Sequence, residues 1–165
     1  MLENCTMLKN LDVVLDTPAV RIGTSGPVLV VQYRDNISPE TLRASEMAQE
    51  RLLRQHPGGT LLLTLVDGNV PLPTEDARAM VADTFRRMAA RNKAAATVIL
   101  GDGFWASAVR STLTALTLVV RPPCPQKTFA TVDEALAWLM SHEASTHVDP
   151  RLLAMDVDRM RTAVR

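Results

Sequence analysis

The segment Thr60–Val66 (TLLLTLV) constrains the fold of this chain more than any other. It is a near-continuous apolar run of strand length, bounded by HPGG before it and by DGN after it. A strand that is apolar on both sides lies in a sheet that is covered on both faces, as in the parallel sheets of α/β proteins. The segment therefore predicts a layered α/β fold in which this strand is covered on both faces.

The flanking patterns predict the rest of that fold. Three short runs rich in branched side chains, at 11–16, 19–23 and 28–33, are separated by turn residues, which is typical of antiparallel strands. After them, helical and strand-like segments alternate: a helix from Ser38 to Gln55, the strand 60–66, a helix capped by Thr74, a strand at 95–100, a helix after Gly103, a strand at 127–130, and a helix after a capping box at 131–134. The order is β-β-β-α-β-α-β-α-β-α, which we interpret as one α/β domain over residues 11–141, preceded by a lead at 1–10.

Helical periodicity predicts which side chains face the core. In the first helix the inward set is Ala44, Met47, Ala48 and Leu52, and in the second it includes Met80, Val81, Thr84 and Met88. In the helix after Gly103 the inward set is Trp105, Val109, Leu113 and Leu116, so Trp105 is expected in the core while Phe104 is expected at the surface.

Residues 142–165 form a C-terminal helical extension. A helix starting at Asp149-Pro150 carries an apolar stripe at Leu153, Val157, Met160 and Val164. Such a stripe must be buried, either on its own domain or on a partner chain. Both alternatives stay open from the sequence, and the second predicts a homo-oligomer that associates through these four residues.

Composition excludes several classes of function. The chain is 47% hydrophobic and 22% charged, with 18 basic and 18 acidic residues, so its formal net charge is zero and nucleic-acid binding is not expected. No apolar run is long enough to span a membrane, and the N-terminal residues make a poor signal peptide. Neither of the two cysteines belongs to a metal-binding or redox motif. We expect a cytoplasmic protein with reduced thiols.

Motifs for catalysis are missing from the sequence. It contains no nucleophile elbow, no phosphate-binding loop and no dinucleotide-binding fingerprint. His142 and His147 resemble a zinc-binding pair, but their spacing of five residues puts the rings apart on a helix. Asp67 and Asp102 each follow a predicted strand and share the carboxyl edge of the sheet, where they could bind magnesium, although acids are also common in turns. We expect no enzyme activity, no cofactor and no bound metal.

Two segments resemble a known family. ATVILGDGFWASAVRSTLTAL is similar to the strand ending in Gly-Asp and the Trp-bearing helix of the STAS superfamily, in the branch of anti-sigma-factor antagonists and SEC14-type lipid-binding proteins. KTFATVDEALAWL resembles the short strand ending in Phe and the following Asp-Glu-Ala-Leu-Ala-Trp-Leu helix of the same branch. The resemblance implies a bacterial protein with a mixed sheet and helices mainly on one face.

The resemblance also implies modes of action. Switch proteins of this superfamily are phosphorylated at the start of the second helix, where Thr74 is the matching hydroxyl in this chain. The usual Asp-Ser-x-Gly setting is absent, and Glu75 and Asp76 already place negative charge there. The SEC14-type members imply a second mode, which is binding of a small apolar ligand such as a lipid.

We therefore expect a regulatory or signalling module that works by binding a protein partner. The expected contact surface is formed by the loops that follow the predicted strands at 60–66 and 95–100. Its residues are Asp67, Gly68, Asn69, Pro71, Thr74, Asp102 and Phe104. Lipid binding is the alternative, and Thr74 is the candidate phosphorylation site.

Overall fold

The computed structural model describes residues 10–71, 75–111, 122–143 and 147–162. Six strands form one sheet whose spatial order follows the chain, from β1 to β6. The strands are β1 (Asp12–Asp16), β2 (Val20–Ser25), β3 (Val28–Tyr33), β4 (Thr60–Val66), β5 (Asn92–Ile99) and β6 (Gln126–Phe129). The helices are α1 (Pro39–Gln55), α2 (Glu75–Ala89), α3 (described over residues 104–111), α4 (Val132–Met140) and α5 (Pro150–Thr162).

The sheet is mixed, as the sequence predicts. β1 pairs with β2 and β2 with β3 in antiparallel register, and β3 to β6 are mutually parallel. Gly26 has φ of 51° in the tight turn between β2 and β3, a conformation that glycine adopts without strain. The alternation of helices with the later strands supplies the crossovers that parallel pairing requires. The predicted α/β fold with antiparallel strands followed by β-α units is confirmed.

Helices cover both faces of the sheet. Leu61, Leu63 and Leu65 of β4 join one apolar cluster with α4 and α5, and Leu62 joins a second cluster with α1 and α2. The expectation of helices mainly on one face is corrected in this respect. Its physical reason is visible in β4, where leucines point to both sides and both sides need a cover.

The C-terminal helix packs on its own chain. Leu153, Val157 and Met160 of α5 are buried in the cluster that also contains Leu136 and Leu139 of α4. Arg21 of β2 donates to the backbone oxygen of Met160 and pairs with Asp16, at 2.9 Å from Nε to Oδ1, which holds the end of α5 to the sheet. The predicted oligomer interface at these residues is therefore wrong, since the apolar stripe is covered within the chain; Val164 lies outside the described residues.

The inward face of α1 is more polar than predicted. Met47 is 58% exposed, whereas Ser45 and Gln49 are buried. Gln49 Nε2 lies 2.7 Å from Asn92 Oδ1 and 3.1 Å from the Met88 carbonyl oxygen, and Thr60 donates to the same Asn92 oxygen. A hydrogen-bonded polar cluster thus lies on the inward side of α1, because buried polar groups that find partners carry little penalty.

The helix starts predicted from the sequence are confirmed where they are described. Ser38 and Thr41 form a capping box at α1, and the Thr131 hydroxyl accepts from the Glu134 amide at the start of α4. Asp149 accepts from the Arg151 amide at 2.8 Å at the start of α5. In the described part of the chain, no helix is long and apolar enough to cross a bilayer.

Candidate functional site

Two loops meet at the carboxyl ends of β4 and β5. Gly68 lies directly against the backbone of the next loop: a Cβ built on it would be 3.0 Å from the Leu100 carbonyl oxygen and 3.7 Å from the Cα of Gly101. No side chain larger than hydrogen fits here without displacing that backbone. We call residues 67–71 and 101–104 together the loop edge.

The loop edge brings together most of the residues that the sequence singles out. Gly68, Asn69, Pro71, Asp102 and Phe104 are all exposed. Phe104 is 91% exposed, which is unusual for a side chain of that size. Thr74, the candidate phosphorylation site, lies outside the described residues.

Asp67 is the least accessible acid of this group. It is partly buried, and both of its carboxylate oxygens accept from Gln32 Nε2, at 3.0 and 3.3 Å. Gln32 is itself 2% exposed, and its pairing with Asp67 could not be predicted from local sequence patterns, because it depends on β3 lying beside β4. Asp67 thus supports the loop structurally.

The magnesium alternative concerns the carboxylates of Asp67 and Asp102. The Asp67 carboxylate already has a side-chain partner, and the described residues contain no group of three or more His, Cys, Asp or Glu side chains placed to hold a metal ion. Asp67 and Asp102 by themselves would leave most of the coordination of a magnesium ion to water.

A cavity of about 370 Å³ lies behind the loop edge, between α2, α3 and the sheet. Its walls are mainly apolar: Val81, Ala82 and Phe85 come from α2 and Val109 from α3. Val66 and Ile99, the last residues of β4 and β5, contribute from the sheet. We call it the edge cavity. Its position agrees with the general rule that open α/β sheets bind ligands beyond the carboxyl ends of their strands.

Trp105 lies at this cavity instead of in the core. Its side chain is 39% exposed and lines the edge cavity together with Val109. The prediction that Trp105 is a core residue is therefore wrong. Helical spacing identified the correct face of α3, but that face borders a cavity along the described part of the helix.

Three threonines cross the sheet side by side on the wall of the edge cavity. Thr64 of β4 pairs in register with Thr97 of β5, which pairs with Thr128 of β6, and all three line the cavity. We call them the threonine row. The sequence contains a signal that could have identified two of them, because Thr64 and Thr97 each interrupt an apolar run two residues before its strand ends.

Two further side chains on this face of the sheet, Arg110 and Cys124, have structural roles. Arg110 of α3 donates to the Ile99 carbonyl oxygen at 3.2 Å, which ties the helix to the end of β5. Cys124 is buried in the apolar cluster on the same face, and burial raises the pKa of its thiol. A thiol that stays protonated is a poor nucleophile.

Comparisons with known proteins identify the architecture. No family model and no curated protein matches the chain. Among solved structures, it is similar to an uncharacterised protein of the DUF3478 family from Shewanella loihica PV-4, described as having a SpoIIAA-like fold, with a TM-score of 0.53 and 15% identity. The fold is SpoIIAA-like. The match covers 84% of this chain and 98% of that one, and it confirms the predicted architecture at the level of the fold alone.

Proposed function

We propose that this protein is a non-enzymatic STAS-like module that binds a small apolar ligand in the edge cavity. The observation that carries the proposal is the cavity itself, which has mainly apolar walls and adjoins the exposed loop edge. Ligand sites of proteins are typically concave, mostly apolar and equipped with a few polar groups. The edge cavity has these properties, and the threonine row supplies the polar groups.

The volume limits the size of the ligand. Liquid water occupies about 30 Å³ per molecule, so a cavity of about 370 Å³ accommodates roughly a dozen non-hydrogen atoms. This corresponds to a medium-length alkyl chain or a small ring system. A diacyl lipid would have to leave most of its chains outside the cavity.

Filling the cavity tests the proposal. Ala82 lines the cavity from α2, and Ala79 of the same helix is exposed and does not line it. We expect Ala82→Phe to abolish binding of decanol in an isothermal titration, and Ala79→Phe to bind as the unchanged protein does. Equal binding by both variants, or no decanol binding by the unchanged protein, would contradict the proposal.

Native mass spectrometry provides a second test of the same proposal. After gentle purification we expect the unchanged protein to carry a small adduct that Ala82→Phe lacks. An adduct that persists in Ala82→Phe would place the ligand elsewhere.

A second candidate function is docking of a protein partner on the loop edge, within a bacterial cytoplasmic signalling or regulatory pathway. It is favoured by Phe104, which is 91% exposed beside the accessible Asn69 and Asp102. An aromatic ring in contact with water is unfavourable, and a bound partner would cover it. Aromatic side chains surrounded by polar groups are common anchors of protein interfaces.

Capture experiments with paired variants test this second function. We expect Phe104→Ser and Asn69→Trp to lose a partner that the unchanged protein retains from a native lysate. Met47→Ser is the control, because Met47 is also exposed but lies on α1. Identical partners for all four proteins would contradict docking at the loop edge.

A further inference from the structure

We propose that the ligand of the edge cavity is an uncharged alcohol or carbonyl compound that binds with its polar head inwards, on the Thr64 hydroxyl. This inference rests on the proposed function, and it names the chemical class of the ligand and its orientation. It comes from the burial and the hydrogen bonding of Thr64, the first member of the threonine row.

Thr64 is a buried polar side chain that faces the edge cavity. It is 3% exposed and lines the cavity from β4, on the same face of the sheet as Leu62. Within the described part of the chain, its hydroxyl has no hydrogen-bond partner. The side-chain atoms there that are fully enclosed and lack a partner are Gln32 Oε1 and Asn92 Nδ2. The Thr64 hydroxyl is not among them, so its oxygen is open to the cavity.

A hydroxyl group in this position favours a ligand that forms a hydrogen bond with it. A buried polar group without a partner costs free energy, and a water molecule or a ligand that bonds to it removes that cost. A ligand that is apolar throughout would displace the water and leave the hydroxyl without a partner. A ligand with a hydroxyl or carbonyl group replaces the hydrogen bond of the water, because the threonine hydroxyl can both donate and accept.

The burial of the cavity walls favours an uncharged head and sets its direction. The charged residues that line the cavity in the described part of the chain, Arg78 and Lys127, are exposed, whereas Thr64 is buried. An ionised head beside Thr64 would lose its hydration, which is a larger cost than neutral hydroxyl groups offset. Trp105 is 39% exposed, so it lies where the cavity opens to solvent. The apolar body of the ligand therefore extends from Thr64 towards Trp105.

An isosteric substitution tests the role of Thr64. Thr64→Val replaces the hydroxyl by a methyl group of similar size. We expect it to weaken decanol binding by about fivefold, the usual effect of losing one hydrogen bond, and to leave the binding of butylbenzene, a hydrocarbon of similar size, unchanged or tighter. A general loss of structure would weaken both. Thr64→Ser, which keeps the hydroxyl, should favour decanol as the unchanged protein does, and Thr24→Val on β2, outside the cavity, is the control.

Tryptophan fluorescence measures these affinities. The chain has two tryptophans, and Trp105 lines the cavity, so all variants are made in Trp138→Phe, which leaves Trp105 as the single reporter. We expect decanol to bind at least ~10-fold more tightly than decanoate. Decanoate binding as tightly as decanol, or equal effects of Thr64→Val on decanol and butylbenzene, would overturn this inference and leave the apolar ligand site intact. Binding of neither decanol nor butylbenzene would contradict the proposed function as well.

NMR of the complex measures the orientation of the ligand. We expect nuclear Overhauser effects between the C1 protons of bound decanol and the Thr64 methyl group, and between the terminal methyl group of decanol and the Trp105 ring. The opposite pattern, with the terminal methyl group beside Thr64, would overturn the inward orientation of the head.

Discussion

Tyr33 is the single tyrosine of the chain and lies almost wholly inside it. Burial raises the pKa of Tyr33 to about 12, with a smaller opposing effect from the hydrogen bond to Ser45 and a small upward effect from Glu46. Because a tyrosine in an unfolded chain has a pKa near 10, we expect the tyrosinate absorbance of the folded protein to have its midpoint near pH 12. The same titration in concentrated urea, where the chain is unfolded, should have its midpoint at about pH 10. A folded-state midpoint near 10 would contradict the burial of this side chain.

The same shift predicts how stability depends on pH. Between about pH 10 and pH 12 the unfolded chain loses the Tyr33 proton while the folded chain retains it. This contribution to stability is therefore complete below about pH 10 and is lost as the pH rises through about 12, at up to ~1.4 kcal/mol per pH unit. We expect urea unfolding to show that the free energy of unfolding falls less steeply with pH for Tyr33→Phe than for the unchanged protein between about pH 10 and pH 12. An equal fall in the free energy of unfolding for the two proteins would contradict the contribution of Tyr33 to the pH dependence.

Gln49 shows where residue patterns mislead. Helical spacing favours Met47 as an inward residue, yet the structure buries Gln49 with Asn92 and Met88. A polar residue is assigned to the surface from sequence because its partners come from distant segments, here β5 and the end of α2. The polar cluster could not be predicted from α1 alone.

Replacing Gln49 tests the importance of that cluster. Gln49→Leu is similar in size and removes the hydrogen bonds from the Gln49 amide to Thr60, Met88 and Asn92, so we expect a loss of about 1–3 kcal/mol in the free energy of unfolding. Gln55→Leu, at the exposed end of the same helix, should change it by less than ~0.5 kcal/mol. Similar values for the two variants in urea denaturation would show that the cluster contributes little.

At the scale of elements, the sequence predicts type and order well. β3, β4 and the end of α1 have the predicted bounds, because glycine, proline and capping residues mark their ends. β5 begins at Asn92, three residues before the prediction, since Asn92, Lys93 and Ala94 have no strand preference of their own and are placed by pairing with β4. The sequence left two alternatives for α5, packing on its own domain or on a partner chain, and the structure shows that it packs on its own domain.

The packing of α5 gives a prediction with an internal control. Leu153 is fully buried against the sheet and α4, and the adjacent Leu152 is 45% exposed. We expect Leu153→Ala to lower the free energy of unfolding by about 2–5 kcal/mol and Leu152→Ala by less than ~0.5 kcal/mol. The reverse order in denaturant unfolding would mean that α5 packs by its other face, as an intermolecular interface would require.

For the whole molecule, the sequence indicates the loop edge but gives no sign of the edge cavity. Asp67 and Asp102 each follow a strand, so parallel pairing brings their loops together, and this needs only the strand order. A cavity depends on the distance between α2 and α3 across β4 and β5, which no local pattern specifies. Trp105 illustrates the difference, since its spacing fits a core residue and a cavity wall equally well.

Methyl NMR tests the central claim most directly, because it reports where a small apolar molecule binds. On addition of decanol, we expect chemical-shift changes confined to methyl groups around the edge cavity: Val66, Val81, Ile99 and Val109. Val30 and Leu136, in the cluster on the other face, should not shift. No shifts, or shifts centred on that other face, would contradict a ligand site between α2, α3 and the sheet.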